Sequence, residues 1–392
     1  MQPMTSRTMS RTMPAGLFLA ALLFSASAWA GLAVSGNDGK QLLKGEATPL
    51  MPDDVSIIDL SHYPPRVIGS VQAPASMIGP PDAVAVSAGE KFAIVTAAQK
   101  YDPADPLHPA ADDKVSVIDL SRPAHPRVLQ TLSSGMGAGG VSINPAGTLV
   151  LVAAKVDDAI IVFHLDGNRL SPGERVDLGK GAAPTDVIFA ADGRRAYAVA
   201  QGVNRIMELA VDGSQVTRTG LDVAVGRAPY GAVITRDGAF LINTNVGGAL
   251  DSSDRTGILT MVDLAAHRLV LSVTVGRVPE HVALSPDGKY VLVVLANGAA
   301  TTRSDPRYDS VLGILKIYAV GPGTLSEVAH ADTGHWCQGA AWSDDSRLIL
   351  QQCATEREIE VFRFDGQALT RDNSATLHFE NRPGAVATQY SR

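Results

Sequence analysis

One stretch, Val278–Leu295 (VPEHVALSPDGKYVLVVL), limits what this chain can fold into. Two alternating apolar runs flank the turn Ser285-Pro286-Asp287-Gly288-Lys289. Pro286 presets φ for a type I turn, and Gly288 can take the left-handed conformation that closes a hairpin with a bulge. Aligned on Ser285, the turn recurs at Ser87–Lys91, Asn144–Thr148, Ala190–Arg194, Thr235–Ala239 and Ser343–Arg347. An alternating strand precedes each copy and another follows it: FAIVTA, LVLVAA, AYAVA, FLINTN, YVLVVL and LILQQC.

A second series reads as a third strand: Val55–Leu60, Val115–Leu120, Ala159–Leu165, Arg205–Ala210, Ile258–Leu264, Gly313–Val320 and Glu358–Phe364. An edge-like fourth strand follows most of these, as at Arg66–Val71, Arg127–Leu132, Leu269–Val275 and Leu325–Ala329. The C-terminal Arg382–Thr388 begins a hairpin that has no second strand, while Leu32–Leu43 and Val55–Val71 supply later strands that lack a first one. Joining the two ends completes a seventh unit and protects strands that would otherwise be open edges. The expected architecture is all-β, a seven-bladed β-propeller of four-stranded antiparallel blades, forming one domain over residues 31–392. An eight-bladed ring with one unit missed is the alternative.

The N-terminus reads as a removable export signal over residues 1–30. Arg7 and Arg11 precede the apolar run Gly16–Phe24, and Ala28-Trp29-Ala30 offers small residues for a cut after Ala30. That run is too short to span a bilayer, so a periplasmic or secreted protein with no membrane insertion after cleavage is expected. Removing this segment takes away two arginines and no acids, so the net charge goes from −7 to −9. An acidic surface argues against nucleic acid as a partner.

Several motifs carry a family resemblance: Val225-Gly-Arg-Ala-Pro229, Val275-Gly-Arg-Val-Pro279, the Ser-Pro-Asp-Gly turn, and third strands ending in Asp-Leu. With them the chain resembles the YVTN-type β-propeller repeat proteins and is similar to the related seven-bladed lactonases. The likeness implies the fold over nearly all the chain after residue 30. It also implies that His281 stands where the lactonase group carries a functional histidine. The chain departs from that group after the second strand, reading Leu295-Ala-Asn-Gly-Ala-Ala-Thr301 instead of an acidic segment.

In a propeller the first strand of each blade lines the axial channel. Three long loops are expected on the face where the chain enters those strands: 99–113, 247–256 and 297–310. Their carboxylates match no calcium-loop spacing, so no metal is expected. At the position of Glu280 the other copies carry Asp82, Gly139, Thr185, Tyr230, Gln338 and Gly384; at that of His281 they carry Ala83, Gly140, Asp186, Gly231, Gly339 and Ala385. Small residues are expected where seven strands crowd one axis. Against them Asp82, Asp186, Tyr230, Glu280 and His281 stand out, and Lys180, Arg227, Arg277 and Arg382 recur just upstream. Such a ring could hold an anionic or sugar-like ligand. In a lactonase reading His281 is the general base toward a lactone, helped by Glu280 or Asp186, with Arg277 or Arg227 on the oxyanion. Neighbours on a strand face opposite ways, so Glu280 and His281 cannot both aim at one atom. No serine-hydrolase elbow or zinc-protease motif is present.

Cys337 and Cys353 lie equally far from the centre of the Ser343–Arg347 turn and should oppose each other across one hairpin. In an oxidising compartment that predicts a cross-strand disulfide. It leaves no cysteine for a haem or zinc motif, and no cofactor is expected. His335 and Trp336 are candidate ligand anchors on the same rim. Three functions remain open at this level: a monomeric scaffold binding a small molecule or protein on the loop face, a lactonase-like hydrolase, and a subunit of a periplasmic redox complex whose redox group lies on the partner.

Overall fold

The computed structural model describes residue 1 and residues 31–45, 50–79, 81–248 and 256–391. The export-signal reading falls on residues 2–30, outside the described residues, as does most of the 247–256 loop with Asp251, Asp254 and Arg255. The strands form seven antiparallel sheets. Six follow chain order, and their inner strands are Val84–Val86, Ala138–Ile143, Pro184–Phe189, Pro229–Ile234, Pro279–Leu284 and Cys337–Trp342. We number these blades 1 to 6. In blade 7 the C-terminal Arg382–Ala387 is the inner strand, paired with Leu32–Asp38, then Asp54–Asp59 and Arg66–Gln72. Register runs from Val34 opposite Ala387 to Asp38 opposite Arg382. The chain ends therefore close the ring, and the seven-bladed count stands.

The repeated turn explains why the same hairpin recurs. Ser285 Oγ accepts from the Tyr290 backbone N–H at 3.0 Å and donates to Asp287 Oδ1 at 2.7 Å, while the Gly288 N–H reaches Ser285 O at 2.8 Å. Gly288 sits at φ +74°. Ser87, Asn144, Thr235 and Ser343 supply the same acceptor in their copies. One short side-chain oxygen thus satisfies the backbone donor that opens the outgoing strand.

The apolar alternation is buried between blades. Leu149, Leu151 and Ile160 of blade 2 pack with Val187, Phe189 and Ala198 of blade 3, and comparable layers recur around the ring. One expectation changes in detail. Part of the 99–113 loop is strand: Phe92–Lys100 and Ala110–Asp119 extend the blade 1 hairpin, leaving 101–109 as its tip. In blade 6 the fourth strand is split into Leu369–Arg371 and Leu377–His378 by a turn at Asn373–Ala375 that Asp372 caps.

The loops that lead into the inner strands share a backbone feature that the sequence pattern does not display. The residue before the strand is left-handed in blades 3 to 6: Ala183, Ala228, Val278 and Trp336 at φ +43° to +55°. Side chains of preceding turns hold these bends, Asp158 accepting from the Ala183 N–H and Asn204 from the Ala228 N–H, each at 2.8 Å. A strained conformation persists because its surroundings fix it.

Candidate ligand site at the channel mouth

The channel mouth on the loop face is occupied by the chain itself. Between blades 7 and 1, Ala75–Gly79 and Pro81–Asp82 lie against the inner strands in the axis; together they are called the plug. Met77 is fully buried against Leu43 and Ala354, with the half-buried Ile78 and Trp336 beside them. Blade 7 side chains pin the segment: Asp38 accepts from the Met77 N–H at 3.0 Å, Asp53 accepts from the Ala75 N–H at 3.2 Å, and Lys40 donates to the Ala75 carbonyl.

This plug revises the reason for the small residues at the inner strands. A side chain at Gly384 would meet the Met77 Cα at 2.7 Å, one at Gly339 the Pro81 Cβ at 2.7 Å, and one at Gly231 an Asp82 carboxylate oxygen at 2.9 Å. Gly140 is different, since its neighbour is Asp186 of the adjacent blade, with the Cα 2.8 Å from an added Cβ. Most of these glycines make room for the plug rather than for each other.

His281 and Asp82 come together although they are far apart in the chain. His281 Nε2 lies 3.2 Å from Asp82 Oδ1, joining blade 5 to the end of the plug. The Ala340 backbone N–H donates to His281 Nδ1 at 3.1 Å. Because Nδ1 accepts, Nε2 carries the proton and donates to Asp82. The ring is buried, which pushes its pKa down to about 3 and keeps it neutral. Both nitrogens are thus committed, and the lone pair a general base needs is already engaged by Ala340.

Bulges interrupt pairing at the same level in five inner strands, including Pro184/Asp186, Pro279/His281 and Cys337/Ala340. A bulge re-aims side chains. Asp186 is fully buried and accepts from the Val187 N–H at 2.7 Å and the Ala232 N–H at 3.2 Å. Burial pushes its carboxyl up to about 7. Asp186 is therefore a link from blade 3 to blade 4. Tyr230 and Glu280 are half-buried near one another, and burial first, then the Glu280 charge, raises the Tyr230 hydroxyl above its ordinary value.

The four cations separate. Lys180 and Arg227 are exposed on the loops leading into blades 3 and 4, and Arg277 is exposed at the end of the fourth strand of blade 4, lying over Gly298. Arg382 is buried and donates to the carbonyls of Ala354 at 3.0 Å and Gln41 at 3.4 Å, strapping the blade 7 loop to blade 6. His335 also turns inward. Its Nδ1 meets Glu356 Oε1 at 2.6 Å, its Nε2 meets the Tyr308 carbonyl at 2.7 Å, and the Tyr308 ring stacks on it at 3.7 Å. Tyr308 in turn donates to Glu356 at 2.7 Å, so this group fastens the 297–310 loop to blade 6. Trp336 packs beside Met77. The acidic residues of the long loops make local pairs, such as Asp105 with His108 and Asp305 with Arg307. Among the described residues no cluster of three or more His, Cys, Asp or Glu is arranged to hold a metal ion.

Cys337 and Cys353 are bonded as a disulfide and face each other in register. Both are buried beside the plug contacts.

Among the described residues of the loop face, Tyr230 and Glu280 stand on the inner strands of blades 4 and 5, and Lys180, Arg227 and Arg277 precede the inner strands of three consecutive blades, on one arc of the rim. The fold is that of a seven-bladed β-propeller, and the chain is similar to the lactonase propellers. A family model described as "Lactonase, 7-bladed beta-propeller" matches residues 134–304, which hold blades 2 to 4 and the hairpin of blade 5. Among curated proteins no sequence matches. Solved structures with the same fold include two candidate 6-phosphogluconolactonases. That of Bacteroides uniformis is 17% identical, covers 92% of this chain and 99% of its own, and has a TM-score of 0.69. That of Bacteroides fragilis is 16% identical, covers 93% and 99%, and scores 0.68. A periplasmic gluconolactonase of Pseudomonas aeruginosa is 20% identical, covers 79% and 84%, and scores 0.55.

Proposed function

We propose that this chain is an exported binding propeller that takes a small, hydroxyl-rich anion on its loop face and does not hydrolyse it. One observation carries the reading: His281 has no lone pair free to activate water, because Ala340 donates to Nδ1 and the protonated Nε2 donates to Asp82. The ligand class follows from charge and from the neighbours. Three exposed cations lie on one arc of the rim, beside a phenol and one carboxylate. The neighbours named as gluconolactonases act on sugar-acid lactones, whose opened forms are polyhydroxylated carboxylates. Guanidinium groups pair with such carboxylates or with a phosphate in forked geometry. Export is supported by the signal-like residues 1–30 and by the disulfide, which an oxidising compartment would preserve.

The family match favours a second reading, a lactone hydrolase. Calorimetry with gluconate and 6-phosphogluconate, run beside a hydrolysis assay on a lactone panel, separates the two. Binding without turnover is expected, weakened about tenfold by Arg227→Ala or Arg277→Ala. Turnover that His281→Ala abolishes would overturn the binding reading and restore the hydrolase.

A further inference from the structure

The opposite end of the channel holds a cavity of about 580 Å³. The hairpin turns of blades 1 to 5 surround it, and the C-terminal residues Gln389–Ser391 cross the remaining side. Thr388 Oγ1 donates to the Trp342 carbonyl at 3.1 Å, and the Gly89 N–H donates to Gln389 Oε1 at 3.0 Å. The start of the tail is thus fastened to blade 6 and to blade 1.

The wall is more apolar than its residue names suggest. Val86, Ile143, Ile188, Ile234 and Leu284 face it, while the polar groups between them are already engaged. Thr235 and Ser285 bond within their own turns, as does Asn144. Among the described lining residues one side chain is charged, Arg236, and it is a cation. Its stem lies over the Gly288 turn of blade 5. The guanidinium is exposed at the rim, and no acid lines the cavity with it.

A partly open, mainly apolar hollow of this size with one cation at its lip is suited to a molecule of opposite design. We infer that this cavity is a second binding site, for a small amphipathic anion: an aliphatic or aromatic body seated among Ile143, Ile188 and Ile234, with its carboxylate or sulfonate against Arg236. The site is separate from the loop face, since the plug stands between them.

Octanoate and 1-octanol are the probes, titrated into the full-length protein by calorimetry. Saturable octanoate binding is expected. Arg236→Gln weakens octanoate about tenfold and leaves octanol nearly unchanged, as expected for one charge-assisted contact. Ile234→Trp fills the hollow and removes both. Arg236 is exposed, so Arg236→Gln tests the site even where Ile234→Trp disturbs folding. Arg227→Ala leaves octanoate binding intact, which separates this site from the loop-face reading. Absence of saturable octanoate binding, unchanged affinity in folded Ile234→Trp, or equal weakening of octanol and octanoate by Arg236→Gln would each overturn the inference.

Discussion

The two ends of the channel are built by opposite rules. At the turn end, one local recipe repeats: a short side-chain oxygen, a left-handed residue, and apolar strand ends that leave a hollow. At the loop end, the backbone bend and the bulge that follows it recur, but the side chains do not. Each blade contributes different groups, and a segment from the ring's own closure blocks the axis. Repetition therefore governs stability at one end, while the other end is free to diverge and holds the polar residues that distinguish one propeller from another.

The contrast can be broken most severely at the loop end. Replacing both Cys337 and Cys353 by alanine removes the cross-link under the plug and should cost about 3 kcal/mol, the size expected for a loop of this length. Denaturant unfolding with and without reductant measures it. Gly384→Ala presses a methyl group into the Met77 backbone and should cost about 1–3 kcal/mol, with faster proteolytic cutting inside residues 75–82. The turn-end counterpart, Gly147→Ala, has open space around it and only its φ of +65° against it, so about 1 kcal/mol is expected. Equal losses at Gly384 and Gly147 would mean that the plug is not seated as described. Ser285→Ala removes one turn acceptor and should cost about 1 kcal/mol.

A pH series sharpens the loop end further. The His281 pKa is depressed in the fold, so its contribution to stability is present above about pH 6.5 and lost as pH falls toward 3. Asp186 is the reverse case: its pKa is raised, and its contribution is present below about pH 4 and lost as pH rises to about 7. Between pH 4 and 6.5 the two slopes oppose each other. His281→Gln cannot take up a proton, so in that window its unfolding free energy should fall with rising pH more steeply than that of the parent. An unchanged profile would remove His281 from the titration.

The architecture was legible because its information is local. A turn of five residues with alternating strands on each side can be counted along the chain, and the opposition of Cys337 and Cys353 follows from the symmetry of one turn. The loop end was legible only in part. Asp82, His281 and Arg382 stood out as unusual residues, yet their partners lie far away in sequence: Asp82 meets His281, and Arg382 meets Ala354 and Gln41. The plug has no periodicity to announce it. Its signal, in hindsight, is the glycine at 231, 339 and 384, which reads equally well as strand crowding. Lys180, Arg227 and Arg277 are exposed, and exposed residues depend little on distant packing.

The pairing of Arg382–Ala387 with Leu32–Asp38 also sets the order of assembly. Blades 1 to 6 can each pair from consecutive residues as they leave the ribosome, but the seventh waits for Arg382–Ala387. Until then Leu32–Asp38 presents an unsatisfied edge, and the plug that hangs from blade 7 has no fixed seat. Truncation behind Phe379 should therefore leave a chain with six sheets nearly complete that still clumps with its neighbours, because the part that silences its open edge is the last to be made.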